Sequence, residues 1–290
     1  MSRKKKTTEE LGSARWVENL IHEFWATSPQ NTLANGTGEK AWDKPLIGFA
    51  RADHPLFRQY AADFAPFYWT PEQAFQLAFP EAPATAEELS VISWVLPQTA
   101  ATRTDQAQVD KVPAERWARS RDFGERFNCA LRLHLAAVLT AAGYPAAAPE
   151  RLPDFGFRRS ERFGLASNWS ERHTAHAAGL GTFGLSDGLI TRRGKAIRIG
   201  SVVARIDLPG TPLPYDHHQA WCLWHTRGIC RECVRRCPAD AISDAGHDKD
   251  KCFAYIQQVT APYAQQTFGT EATPCGLCQV GIPCEARIPA

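Results

Sequence analysis

Residues 222–238 read Cys-Leu-Trp-His-Thr-Arg-Gly-Ile-Cys-Arg-Glu-Cys-Val-Arg-Arg-Cys-Pro, and four more cysteines follow at positions 252, 275, 278 and 284. Eight of the nine cysteines therefore lie in the last quarter of this 290-residue chain, and only Cys129 stands apart from them. In a reducing compartment, such a concentration of thiols favours metal ligands over disulfides.

The spacing Cys230-x2-Cys233-x3-Cys237-Pro238 is the second half of the run that binds two [4Fe-4S] clusters in bacterial ferredoxins, where the last cysteine ligates the other cluster. A crossed arrangement is therefore expected. One cluster is predicted on Cys222, Cys230, Cys233 and Cys284, and the other on Cys237, Cys252, Cys275 and Cys278. Together they predict a small ferredoxin-like domain over residues 215–290.

Two insertions depart from the compact run and leave alternatives open. Seven residues separate Cys222 from Cys230, and five separate Cys278 from Cys284. A [3Fe-4S] or labile cluster is one alternative for that site. A pair of structural zinc sites is another, because four thiolates also suit tetrahedral zinc, although the proline after Cys237 argues against it. Cys129 is interpreted as an ordinary buried thiol within a helix.

The chain before the cysteines has mixed helix and strand patterns. An amphipathic helix is predicted after the Thr7–Glu10 start, ending before Pro29, and a long helix is predicted from about Ala114 to Ala142 with Gly143 as its stop. Leu46–Ala50 and Val91–Leu96 read as strands, and residues 98–113 as a polar connection. The aromatic stretch 64–83 is interpreted as core packing or, alternatively, as the wall of a ligand cavity. The predicted class is α/β, more narrowly α+β, with a first domain over residues 1–208.

Charge and hydropathy exclude several classes of protein. The formal net charge is +2, so neither a nucleic-acid coat nor a polybasic membrane anchor is indicated. No apolar segment follows the basic N-terminus, and no apolar run approaches the ~20 residues of a membrane span, which predicts a cytoplasmic protein without membrane association. Residues 151–205 carry ten basic and four acidic side chains. This segment is interpreted as a solvated, ion-paired face or, alternatively, as a site for a phosphate-bearing ligand.

Two further segments resemble a known family. Glu171-Arg172-His173, followed by residues 178–184 (Ala-Gly-Leu-Gly-Thr-Phe-Gly), and the later Cys275-Gly-Leu-Cys-Gln279 are similar to segments of the epoxyqueuosine reductases and reductive dehalogenases. The resemblance covers roughly residues 90 to 288. It implies a nitroreductase-like α/β domain that holds base-off cobalamin, followed by the ferredoxin-like domain with two [4Fe-4S] clusters.

The resemblance also implies site residues. Asp122, in Ser-Arg-Asp-Phe at 120–123, resembles the proton-donating aspartate of the epoxyqueuosine reductases, although Gly124 replaces the histidine that commonly follows. The alternative is an acidic residue that favours a helix N-terminus. Contacts to the corrinoid are assigned to Gly179, Gly181, Thr182, Gly184 and Ser201, with a plain structural bend as the alternative for the glycines. His173 and His176 are interpreted as surface or supporting residues rather than a metal pair.

Three hypotheses follow for function. The leading one is a cytoplasmic cobalamin- and iron-sulfur-dependent reductase acting on a small molecule or a modified nucleoside, with tRNA as a further partner and an external donor such as a ferredoxin or flavodoxin. The second is an electron-transfer protein that has no substrate of its own and reduces a partner protein. The third is an iron-sulfur module that binds nucleic acid through the 151–205 face.

Overall fold

An antiparallel sheet organises the protein, whose computed structural model describes residues 10–64, 66–160 and 163–290. The strands are β1 (Leu46–Arg51), β2 (Ser90–Pro97), β3 (Ala146–Ala147), β4 (Phe157–Ser160), β5 (Gly164–Ser167), β6 (Gly181–Phe183), β7 (Leu189–Thr191), β8 (Ile197–Ala204), β9 (Ile242–Ser243) and β10 (Gly246–His247). The central sheet has the order β1-β2-β8-β3, and β4-β5, β6-β7 and β9-β10 form two-stranded ribbons. Every pairing is antiparallel. The mixed class is confirmed, in its α+β form.

Helices cover both faces of the central sheet. They are α1 (Ala14–Thr27), α2 (Pro55–Asp63), α3 (Pro71–Ala78), α4 (Ala100–Ala107), α5 (Glu115–Ala141), α6 (Glu171–Ala177), α7 (Leu223–Arg227), α8 (Glu232–Arg235), α9 (Lys249–Tyr255) and α10 (Ala261–Phe268), with a π-helical turn at Ile256–Thr260. None of the helices described is long and apolar enough to cross a membrane.

Strand β2 shows why the sheet is buried on both sides. Its residues alternate between two cores: Ile92 and Trp94 pack with α1 and α5, while Val91 and Val95 pack with α2, α3 and α6. All eight residues of β2 are buried. A strand covered on both faces carries an almost continuous apolar run, so the predicted strands at 46–50 and 91–96 are confirmed.

The long helix α5 is also confirmed, with a stop near the predicted residue. Phe127, Leu131, Leu135 and Leu139 are fully buried against the sheet. Gly143 follows the helix end with φ +92°, a left-handed conformation that glycine adopts readily.

One local prediction was wrong, through capping. The predicted polar connection 98–113 contains α4, because the Thr99 hydroxyl accepts a hydrogen bond from the Thr102 backbone N–H at 3.2 Å and starts a helix. The predicted first helix is confirmed as α1: it begins at Ala14, where the Ser13 hydroxyl accepts from the Trp16 N–H, and it ends at Thr27, before Pro29. Thr7–Glu9 lie outside the described residues. The aromatic stretch 64–83 contains α3, and its Phe64, Tyr68 and Phe75 belong to the core.

The cysteine-rich end contacts the preceding part of the chain through hydrogen bonds to its backbone carbonyls. The N–H of Ala196 donates to the carbonyl of Glu285 at 3.1 Å, and the Gln106 side chain donates to the carbonyl of Cys275 at 2.8 Å. Gly276 has φ +66°, and a Cβ there would lie 2.0 Å from the Trp117 ring. The predicted boundary between residues 208 and 215 stays a prediction.

Candidate functional site

Four of the cysteines line a common pocket. The pocket is lined by Cys222, which lies immediately before α7, and by Cys230, Cys233 and Cys284. The pKa of Cys233 is raised to about 11, chiefly by burial, which Lys195 partly opposes and which Cys278, Cys284 and Cys222 reinforce. These are the four residues that the crossed scheme assigns to one cluster.

The other four cysteines interact with one another. Burial, followed by the Cys278 and Cys237 thiols, raises the pKa of Cys252 to about 11. Burial also raises the pKa of Cys275 to about 12, with Cys278, Cys252 and Cys237 adding to the effect. The fold thus brings together the residues of each predicted set, and Cys233 and Cys278 lie where the two sets adjoin.

The donor chemistry of these sets fits iron-sulfur clusters. Four sulfur ligands per site is the requirement of a [4Fe-4S] cluster, and bound iron would hold as thiolates groups that burial otherwise keeps protonated. Among the described residues, no three His, Cys, Asp or Glu side chains are arranged around a single metal ion. The four thiolates of a [4Fe-4S] cubane lie farther apart than those around one zinc ion. This finding therefore argues against a site for a single metal ion and does not bear on a cluster.

Cys129 lies apart from both sets. Its thiol is partly exposed on α5, 3.8 Å from both Glu125 Oε1 and Arg132 Nη1. Burial raises its pKa. It is a helix thiol, as predicted, but it is less buried than an ordinary core cysteine.

A cavity of about 960 Å³ opens beside the cysteines. It is bounded by α2, by α6 and the residues after it, by the segment 213–219, and by β10 with the start of α9. Seven of the nine histidines in the chain line it: His54, His173, His176, His217, His218, His225 and His247. Cofactor and ligand sites measure roughly 300–1,000 Å³, so this cavity is of cofactor size.

Two histidines of α6 stand in its apolar wall. Nδ1 of His176 lies 2.6 Å from the Tyr60 hydroxyl, and Nδ1 of His173 lies 2.7 Å from the Ser170 hydroxyl. Burial lowers the pKa of His173 to about 3 and that of His176 to about 4, so both imidazoles are neutral near pH 7. Within the described part of the chain, Nε2 of His176 is buried without a hydrogen-bond partner.

The cavity adjoins the first cysteine pocket. Gly184 and Leu185 line both spaces, so a single layer of chain separates them. On its other side the cavity reaches Lys249 and Asp250, two residues before Cys252. Both cysteine sets therefore lie close to the cavity.

Of the five residues assigned to a corrinoid, only Gly184 lines the cavity. The others support the backbone. A Cβ on Gly179 (φ +74°) would lie 2.7 Å from the Pro212 carbonyl oxygen, and one on Gly181 would lie 2.4 Å from that of Ile190. The Thr182 hydroxyl accepts from the Trp221 N–H, and the Ser201 hydroxyl accepts from Trp169 Nε1 at 3.0 Å.

Asp122 lies outside the residues that line the cavity. It is buried on α5, where one carboxylate oxygen accepts from Arg126 Nε at 3.0 Å and the other from the Glu271 backbone N–H at 2.7 Å. These bonds fasten the residues before Cys275 to α5. The proton-donor role of Asp122 stays a prediction.

Four of the ten basic residues of 151–205 are in ion pairs, which favours the ion-paired interpretation of that part of the face. Arg159, Arg193, Arg198 and Arg205 make ion pairs with carboxylates on distant segments. Lys195 is buried, and Arg162 lies outside the described residues.

Sequence reasoning did not identify Tyr60, Tyr215 or Lys195. Tyr60 is 116 residues from the His176 that it contacts, and Tyr215 stacks on that imidazole with ring centroids 5.0 Å apart. The concentration of histidines between 173 and 225 was the one signal in the sequence that pointed to this cavity.

Comparison with known proteins places the fold. No protein-family model and no curated protein matches the chain. A catabolic reductive dehalogenase, solved with 3-bromo-4-hydroxybenzoic acid, shares 16% identity and a TM-score of 0.51 over 94% of this chain and 37% of its own. An epoxyqueuosine reductase shares 16% identity with a TM-score of 0.48, over 95% of this chain and 69% of its own.

The dehalogenase belongs to one of the two groups of reductases that the sequence resembles, so the resemblance to that group is confirmed at the level of the fold. The chain spans little more than a third of the length of the dehalogenase. It has the fold of the matching part of that enzyme.

Proposed function

We propose that the protein is an oxidoreductase in which two [4Fe-4S] clusters supply electrons to a corrinoid held in the cavity of Tyr60 and His176. The observation that carries the proposal is the shared wall of Gly184 and Leu185 between that cavity and the pocket of Cys222, Cys230, Cys233 and Cys284. An electron leaving this cysteine set has only one layer of residues to cross.

The cysteines would hold the clusters in the crossed arrangement. Cys237 follows Cys233 in sequence but groups with Cys252, Cys275 and Cys278, as the proline after it predicts. When bound, such clusters supply single electrons at potentials that burial and hydrogen bonds adjust.

The cavity would hold the corrinoid by its size and by its aromatic and histidine walls. Phe64, Phe163 and Phe183 line it together with the histidines, and apolar rings of this kind exclude water around a large ring system. When bound, a corrinoid supplies the strongly reducing centre, and the protein supplies position and protons.

Two residues are proposed for the proton that reduction requires. Tyr60 is favoured by position, because it lines the cavity and burial raises the pKa of its hydroxyl, which therefore keeps its proton. That hydroxyl lies 2.6 Å from Nδ1 of the neutral His176 ring, and rotation about its C–O bond would point its proton toward a substrate in the cavity. Asp122 is favoured by resemblance alone.

Halogenated phenolic acids are the first substrates to test, because a dehalogenase with this fold is known with such a compound bound. A modified nucleoside, free or within tRNA, is the second class. The electrons would come from an external donor such as a ferredoxin or flavodoxin.

The competing function is an electron carrier without a substrate of its own. Its support is the cysteine sets, which need no cofactor cavity to transfer electrons. A cavity of about 960 Å³ against one of those sets favours the reductase, since a carrier has no use for it.

The deciding experiment is anaerobic purification and reconstitution, followed by iron, sulfide and cobalt analysis. Eight irons per chain and one base-off Co(II) signal in the EPR spectrum after cobalamin addition are expected. Eight irons without corrinoid binding would establish the carrier instead. Zinc in place of iron would refute both.

The proton donor is tested with three matched variants once turnover is found. Tyr60→Phe is expected to lower kcat by about 10²–10⁴-fold with unchanged iron and cobalt content. Tyr144→Phe, in the core across the sheet, is the control. If Asp122→Asn abolishes turnover while Tyr60→Phe leaves it intact, Asp122 is the donor.

A further inference from the structure

Lys195 is a buried lysine between the turn at 192–194 and strand β8. Only 2% of its surface is exposed. A Cβ on Gly188 would lie 2.7 Å from Cδ of its stem, so the chain is packed closely around it. Its backbone N–H donates to the Cys284 carbonyl at 2.8 Å, which fixes its distance from that cysteine.

The ammonium group has a neutral partner and no carboxylate. Nζ donates to the Ser186 hydroxyl at 2.7 Å, and no ion pair joins it to Asp or Glu among the residues that the structure describes. A buried cation without an opposite charge is strongly unfavourable. A lysine buried in this way stays protonated when an anionic group balances its charge.

Thiols of both cysteine sets surround this ammonium. Lys195 lines the same pocket as Cys222, Cys230, Cys233 and Cys284. Ser186, whose hydroxyl it binds, follows Leu185, which belongs to the apolar cluster against which Cys278 of the second set packs. Once they bind a cluster, these cysteines would be thiolates and would supply anionic charge beside it.

We propose that Lys195 is the fixed counter-charge shared by the two iron-sulfur clusters, and that it raises their reduction potential. This inference rests on the proposed function. Each reduction adds one electron from the external donor to a cluster; no bond forms or breaks, and the ammonium keeps its proton. A nearby positive charge stabilises the more negative, reduced cluster more than the oxidised one. Lys195 thus acts on the reduction potential of the clusters and does not contact the substrate.

The test is a redox titration of the reconstituted protein, followed by EPR of the reduced clusters. Lys195→Met removes the charge and keeps most of the apolar stem; Lys195→Arg keeps the charge. Lys44→Met removes the same charge at an exposed position and is the control. At a fixed potential, Lys195→Met is expected to lower the ratio of reduced to oxidised cluster at least tenfold, a shift of about 59 mV for one electron. Lys195→Arg and Lys44→Met are expected within threefold of the wild type.

The outcomes separate this inference from the proposed function. A wild-type protein without iron refutes both. Eight irons in the wild type and in Lys195→Met with equal midpoints refute the role of Lys195 alone. If Lys195→Met does not retain iron, Lys195→Gln takes its place in the titration. Loss of iron in both neutral variants but not in Lys195→Arg supports the charge requirement, whereas loss in Lys195→Arg as well shows that Lys195 only fills space and overturns the inference.

Discussion

Arg132 on α5 holds the helix that carries the two cavity histidines. Its side chain is fully buried, and it donates to Glu171 at 3.3 Å, to Glu125 at 3.1 Å and to Glu150 at 2.7 Å. A fourth bond reaches the Ile199 carbonyl of strand β8 at 3.0 Å. Because Glu171 is the first residue of α6, this network fixes α6 against both α5 and the sheet.

Arg132→Met is expected to destabilise the protein severely. The substitution leaves carboxylates without their cation, and breaking a buried ion pair by removing one partner costs about 3–5 kcal/mol. At roughly 2 °C per kcal/mol for a protein of this size, the apparent Tm should fall by about 6–10 °C. The control is Arg159→Met, which breaks an exposed pair with Asp250; such pairs contribute ~0–1 kcal/mol.

The penalty should depend on pH with a defined sign. Burial, and then the Glu150 carboxylate, raise the pKa of Glu171 to about 7. Between its unfolded pKa near 4.5 and about 7, the folded protein therefore holds a proton that the unfolded chain has released, and this group's contribution to stability falls as pH rises. Removing Arg132 should thus destabilise the protein more at pH 8 than at pH 5.

Thermal unfolding followed by tryptophan fluorescence measures both effects. Arg132→Met/Glu171→Gln should recover part of the loss, since the neutral side chain no longer needs a cation. A Tm within 2 °C of the wild type, or an equal loss at both pH values, would refute the reasoning.

Three further predictions concern the cysteine sets and the cavity. Cys237→Ala should reduce iron from eight to about four per chain, measured against Cys129→Ala, which should keep all eight; no loss in Cys237→Ala would contradict the crossed scheme. Gly276→Ala should lower the free energy of unfolding by about 2–4 kcal/mol in urea denaturation, because a left-handed residue with a Cβ 2.0 Å from Trp117 adds a clash to backbone strain. The control Gly228→Ala, at φ +67° with open space around the new Cβ, measures the strain alone. Equal losses in the two variants would show that the clash contributes nothing. Because the pKa of His176 is lowered to about 4, the unfolded chain binds the extra proton between pH 4 and about 6.5, so stability should rise with pH across that window, and His176→Gln should flatten the rise.

The strands and long helix could be predicted because their signal is local. In β2 an uninterrupted apolar run, and in α5 a regular apolar stripe, follow from burial of one short segment at a time. Helix α4 was missed because its start depends on one hydroxyl, that of Thr99, in a stretch with little apolar pattern.

The candidate site likewise has parts that could be predicted from the sequence and parts that could not. The cysteine sets were predicted from the ferredoxin-type run Cys230-x2-Cys233-x3-Cys237-Pro238, which lies within nine residues of the chain. Tyr60 and His176, by contrast, meet across 116 residues, and no local pattern encodes such a contact. Asp122 was chosen by resemblance, and the structure shows it bound to Arg126 and the Glu271 backbone.

By itself, the sequence determined the mixed class, the central strands and the long helix, and it predicted the two cysteine sets suited to iron-sulfur clusters. Only the tertiary structure decided that a histidine-lined cavity adjoins one thiol set through Gly184 and Leu185, and that Lys195 is buried beside both sets. The physical reason is that periodicity and ligand spacing are properties of short segments. Cavities and the balance of buried charge depend on side chains that meet only after distant segments have packed.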